Sequence, residues 1–191
     1  MEQIIAEIEH LRDGSRADYA KARELAEANR HKYPQIEALY QTFLLHTQDG
    51  DEAVKILQPF LHLPFVQARL GYHLTLNGCI AEGLELLQQA ASAGHQFAKH
   101  ALAIMLYNGK GMPKDVSHAV VMLEALAAEN FLPSMYSLGV HHYKPPFEAK
   151  GDETGLNLIR KAAEAGYETA IRVLRDLEKR AIMFGVAATS Y

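Results

Sequence analysis

The 191-residue sequence is poor in several features, and each shortage removes a class of protein. A single cysteine, Cys79, leaves no internal disulfide framework and fits a reducing compartment. No uncharged apolar run approaches the ~20 residues that a membrane-spanning helix requires. The opening stretch MEQIIAEIEHLRDG carries acidic residues where an export signal has a positive start and an unbroken apolar core, so a cytoplasmic location is expected. Positive charge is not in excess either. Lys plus Arg is 19 and Asp plus Glu is 23, a formal charge of -4, which provides no global basic field for nucleic acid or anionic lipid.

The spacings that bring reactive groups together are also missing. Ten histidines are present, but no two lie three or four residues apart. His95 and His100 are five apart, and the adjacent His141 and His142 point in different directions from a helix, so neither pair makes a metal site alone. The segment NGKGMPKD has glycines but not the G-x4-G-K-[ST] spacing of a phosphate loop, and it reads as a turn. Cys79 precedes an expected helix N-terminus, which favours a thiolate, yet no local His supplies a base and a small apolar filler is the simpler reading. The carboxylates are spread over helix surfaces without an uncharged pocket around any pair. The expectation is a protein without catalytic activity, cofactor or metal.

What the sequence does contain is helix-forming material. Hydrophobic residues make up 49% and charged residues 22%, with abundant Ala and Leu, as in a soluble helical domain or a short repeat array. A period is visible. The stretches AASAGHQFA, ALAAENFLPS and KAAEAGYETA carry landmarks Gly94, Asn130 and Gly166, with 130 − 94 = 36 and 166 − 130 = 36. Each landmark ends a helical pattern and precedes His95, Phe131 or Tyr167, which begins the next. Gly and Asn are the residues that most readily take the left-handed conformation closing a helix, so positive φ is predicted at all three.

Between landmarks the spacing 98/102/106 puts Ala98, Leu102 and Leu106 on one helical stripe, and 119/123/127 does the same for Ala119, Leu123 and Ala127. Small residues such as Ala103 permit close approach, YNGKGMPKD supplies the connection, and Asp115 is placed to cap the second helix. The unit is an antiparallel helical hairpin. The pattern A-x3-L-[GA] … G-x-G-x3-D-x3-A-x3-L-x3-A-x2-[GN] resembles the Sel-one-like repeat, a relative of the tetratricopeptide repeat. The copy from Ala98 to Asn130 carries nearly every signature position. The next keeps Ser134, Leu138, Gly139, Ile159, Ala163 and Gly166, with KPPFEAKGD in place of the two-glycine turn, a loop expected to differ in shape. The preceding copy, near Ala68 to Gly94, keeps Gly83, Leu87 and Ala91 with a shorter connection, and its first helix aligns in two registers, around Leu70 or Tyr72.

Upstream, helical stripes alternate with turn signals at Pro34 and at Asp49, Gly50 and Asp51. Stacking these hairpins on the later ones buries the apolar stripe that each exposes. The fold expected is all-α, and the resemblance implies a right-handed superhelical solenoid of stacked antiparallel hairpins with about eleven helices. Residues 1–64 form tetratricopeptide-like hairpins, 65–166 the Sel-one-like repeats, and 167–191 a capping helix and tail. Arg175 and Glu178 depart from the repeat pattern there, and AIMFGVAATSY is uncharged.

In tetratricopeptide-like arrays the first helix of each hairpin lines the concave face. Carried onto this sequence, the resemblance implies a partner-binding set of Phe97, His100, Ile104 and Tyr107, followed 36 residues on by Pro133, Tyr136, Val140 and Tyr143. The stripe is aromatic and aliphatic, suited to burial against a partner. The competing reading is that strong curvature packs these residues on one another. A further 36 residues on, Thr169, Arg172, Asp176 and Lys179 end the apolar groove. The resemblance implies an interaction adaptor for a protein or peptide, with no nucleic acid, membrane or metal partner. The alternative is an immunity or chaperone protein neutralising a single toxin or secreted substrate.

Overall fold

Three successive hairpins of this chain are closed by the same backbone device, and its repetition sets the stacking period. Gly94, Asn130 and Gly166 have φ of 90°, 60° and 92°, the positive values expected. The residue after each donates its N–H to a carbonyl five positions back: His95 to Ala90 at 3.0 Å, Phe131 to Leu126 at 3.0 Å, Tyr167 to Ala162 at 2.9 Å. This is the Schellman closure of a helix C-terminus.

The computed structural model describes residues 1–14, 16–47, 50–143 and 153–183, and among them are eleven α-helices, one 3-10 turn at Gln58–Phe60 and no strand. The helices are α1 (Glu2–Arg12), α2 (Arg16–Asn29), α3 (Pro34–Leu44), α4 (Gly50–Leu57), α5 (Pro64–Leu76), α6 (Ile80–Ser92), α7 (Gln96–Asn108), α8 (Val116–Ala128), α9 (Leu132–Tyr143), α10 (Glu153–Glu164) and α11 (Glu168–Met183). Consecutive helices pair as hairpins, and α11 packs on α10. The loop 144–152, the turn residue Asp49, the tail from 184 on and the side chain of Glu178 lie outside the described residues.

Asp115 caps α8 as expected, its side chain accepting from the His118 N–H at 3.0 Å. Inside three of the hairpins the helices meet at small residues in equivalent places. Gly83, Ala119 and Gly155 recur at 36 (119 − 83 and 155 − 119); Gly83 faces Gly71 and Gly155 faces Gly139 on the preceding helix, and in the hairpin between them Ala103 and Ala119 are fully buried at the equivalent places. A Cβ on Gly83 would stand 2.5 Å from the Gly71 carbonyl oxygen, and one on Gly155 would stand 2.7 Å from that of Gly139. The first pair is 12 residues apart (83 − 71) and the central pair 16 (119 − 103), the four-residue difference being the shorter α5–α6 connection. Gly71, between the two registers open on sequence, therefore aligns with Ala103.

The core runs along the stack. Ile8, Leu39, Leu57, Val66 and Leu70 fill its first part, Leu87 and Ala98 the next, Leu123 and Leu138 the third, and Ile159 and Ala170 the last. At the position equivalent to Ala103 and Gly139, α11 carries Arg175, which is exposed. Among the described residues no helix packs beyond it.

Candidate functional site: the inner row of first helices

The first helices α3, α5 and α7 pack side by side, and α9 continues the row through side-chain bonds. His100 Nδ1 is 2.9 Å from Ser134 Oγ, and the Tyr107 hydroxyl is 3.0 Å from His141 Nδ1. The two pairs have the same separation (134 − 100 = 34, 141 − 107 = 34), so one repeat of the array ties to the next at two levels. The row is concave: Arg12, Asp13 and Gly14 from the start of the chain and Tyr167 from near its end line one cavity of about 300 Å3 with Tyr72, Phe97, His100, Ile104 and Pro133.

Seven of the eight residues expected to meet a partner divide into two groups, and Tyr107 stands apart. Phe97, His100, Ile104 and Pro133 converge on that cavity. Phe97 is held between the Arg69 guanidinium, 3.7 Å from its ring centre, and the Tyr72 ring at 5.4 Å. Tyr136, Val140 and Tyr143 pack instead into the cluster around Ile159, Ala162 and Ala170, with Tyr136 against Tyr167 at 5.7 Å. Tyr107 stands edge-on to His141 at 5.5 Å. Pro133 is buried, and the other seven are half-buried. Farther along, Thr169 is half-buried while Arg172, Asp176 and Lys179 are exposed, a polar end to the row.

Sequence reasoning missed the inward-turned corner of α1 and α2. Arg12 donates to the Thr42 hydroxyl and, at 2.8 Å, to the Thr42 carbonyl. Asp13 accepts from Arg69 Nη2 at 3.0 Å through both carboxylate oxygens, and Glu9 meets His95 Nε2 at 2.8 Å. The only signal was Glu9 and Asp13 at i, i+4, which on an exposed helix would be unremarkable. Burial works against Glu9's charge, but the His95 hydrogen bond and the charges of Arg69 and Arg12 bring its pKa down to about 2. Burial and the like charge of Arg69 push Arg12 down to about 9, still cationic at neutral pH. Arg69, although buried, is raised by the Asp13 and Glu9 carboxylates. The two arginines differ because Arg69 bonds a carboxylate directly and Arg12 bonds a neutral threonine.

Burial pushes His100 from 6.5 down to about 4, so it is neutral at physiological pH. A base with a lowered folded pKa binds fewer protons folded than unfolded between those two values, so stability falls as pH drops from 6.5 to about 4. Glu9 adds a second window, from 4.5 down to about 2. His46 and His73, whose Nδ1 atoms are 3.5 Å apart, are both lowered, chiefly by burial, and act in the first window. We expect His100→Gln to reduce the loss of thermal stability between pH 7 and pH 5 by at most about 2 kcal/mol while leaving the window below pH 4 intact. Melting curves across pH, read by circular dichroism, check this; an unchanged slope in the upper window would refute it.

Among the described residues no three His, Cys, Asp or Glu side chains converge on a metal-sized site, and no helix is long and apolar enough to cross a membrane. Cys79 is exposed at the N-cap of α6.

The Sel1 repeat family model matches residues 80–95, 96–131 and 132–167. The first match takes in only the second helix of its hairpin, α6, where the resemblance had been expected to begin near residue 65. The short α5–α6 connection accounts for part of that difference, since it omits the two-glycine turn. No curated protein matches the chain. The crystal structure of a Sel1 repeat protein from Oxalobacter formigenes is similar in fold, with a TM-score of 0.56 and 22% identity over 81% of this chain and 67% of that one. Sel1 repeats form non-catalytic scaffolds that mediate protein–protein interaction. Within an all-α stack of hairpins, residues 80–167 of this chain are similar to three Sel1 repeats in tandem.

Proposed function

We propose that the chain holds a partner protein or peptide on its concave inner row and performs no chemistry on it. The observation that supports this most is the row of half-buried aromatic and aliphatic side chains, Phe97, Ile104, Tyr107, Tyr136, Val140 and Tyr143, on consecutive first helices. Half-buried aromatics with a polar tip supply large contact area at small conformational cost, which is how interface hot spots are built. The formal charge of -4 favours a protein over nucleic acid as the occupant.

The test is Tyr107→Ala combined with Tyr143→Ala. Tyr107 also bonds His141, so the double variant should lose about 1–2 kcal/mol of stability, a few degrees in melting temperature for a chain of this size. Capture of the native partner from cell extract should fall at least about tenfold. Unchanged capture by the folded variant would remove this face from the interaction. A fall in melting temperature beyond about 10 °C would assign the two tyrosines to the core instead.

A further inference from the structure

A cavity of about 790 Å3 lies alongside α1, with Ile5 and Glu9 on one side and Phe65, His95, Phe97 and Phe131 on the other. Resting on the reading of the inner row as a docking face, α1 can be seen as something already docked there. It presents an aliphatic stripe, with Ile8 fully buried and Ile4, Ile5 and Leu11 partly so. It also presents two carboxylates one helical turn apart (13 − 9 = 4), which engage His95 and Arg69. The receiving surface supplies the complement: a buried guanidinium stacked on Phe97, an imidazole, and the aromatic edge of Phe65.

The seat is imperfect. Glu9 Oε1, Arg69 Nε and His95 Nδ1 are buried without a hydrogen-bond partner, and the cavity leaves one flank of α1 without packing. Buried polar atoms without partners and unfilled volume both lower the stability of an occupant relative to one that satisfies them. A helix with the same two carboxylates and a bulkier apolar flank would sit better.

We propose that the niche formed by Arg69, His95 and Phe97 is a recognition site for an acidic amphipathic helix of a partner protein, and that α1 is its resident occupant in the free chain. The partner helix presents two carboxylates at i, i+4 beside an aliphatic face and takes the place of α1. Its apparent affinity is the intrinsic one reduced by the fraction of chains with α1 displaced, so weakening the resident strengthens the visitor.

The probe is a fluorescently labelled peptide of sequence MEQIIAEIEHLRD, which carries the recognised chemistry, titrated into the full chain by anisotropy. E9Q/D13N in the chain should tighten probe binding at least about tenfold over the unsubstituted chain. A second probe with the same two substitutions should bind the E9Q/D13N chain about tenfold more weakly than the first. Equal affinity of the two probes, or no saturable binding by the folded variant, overturns the proposal. Should E9Q/D13N not fold, hydrogen exchange on the unsubstituted chain decides: saturating probe must speed exchange in α1, and unchanged exchange overturns the proposal. If the probe fails while native-partner capture still depends on Tyr107 and Tyr143, the exchange of α1 is wrong and the docking face stands; if both fail, both are wrong.

Discussion

Gly83→Ala is expected to destabilise the protein by about 3 kcal/mol, although alanine is the better helix former. In isolation the substitution favours a helix by about 1 kcal/mol, so the predicted sign comes entirely from the hairpin contact. The added methyl would stand 2.5 Å from the Gly71 carbonyl oxygen, 2.6 Å from Thr75 Cγ2 and 2.9 Å from the Thr75 nitrogen. Two of those three atoms belong to backbone, which relieves the overlap only if α5 and α6 move apart as bodies. Separation loosens the packing of Leu86 and Leu87 beneath them. Gly155→Ala should behave alike, because its methyl would meet the Tyr143 nitrogen at 2.6 Å and the Gly139 oxygen at 2.7 Å. The central hairpin carries a buried alanine, Ala119, at the equivalent place, and Ala119→Gly should lose only about 1 kcal/mol. Thermal melts of the three variants measure the contrast. A neutral or stabilising Gly83→Ala would show that the hairpin can widen freely.

Arg69→Ala is expected to have the largest effect of any single side-chain removal, about 3–5 kcal/mol. The Arg69 side chain is only 9% exposed and that of its partner Asp13 19%. Deleting the guanidinium leaves the Asp13 and Glu9 carboxylates facing each other's field with Arg12 as the remaining nearby cation. It also strips the cation from the face of Phe97. Arg69→Lys keeps the charge but not the planar fork, and should fall between the two. In a double-mutant cycle with Asp13→Asn, the combined loss should be smaller than the sum, since the second substitution removes a carboxylate that the first had stranded. A loss below about 1 kcal/mol for Arg69→Ala would place this pair among exposed ones.

Much of this architecture was legible in the residues because the repeat writes each signal three times. Gly94, Asn130 and Gly166 disclosed the period, the closure and the sign of φ together, since only Gly and Asn tolerate that conformation readily. Asp115 disclosed a cap for the same local reason. The inner stripe was legible as a stripe but not as a surface. Helical spacing assigns a side chain to a face, whereas its exposure depends on what the curvature brings against that face. Tyr167, just before α11, reaches Tyr136, and the corner at Asp13 and Gly14 reaches Phe97 and His100 from over eighty residues away. Contacts of that range carry no period. Buried polar pairs such as Glu9 with His95 and Asp13 with Arg69 have in sequence the appearance of solvated groups, and only the folding of α1 onto the row reveals them.

The function proposed above puts the partner on the concave row of first helices. Hydrogen exchange of the intact chain, with and without the captured native partner, tests it most directly. Slowed exchange is expected at the inner-facing positions of α7 and α9, including the segments around Tyr107 and Tyr143, with α6, α8 and α10 unchanged. Protection confined to α6, α8 and α10, on the opposite face, would contradict it.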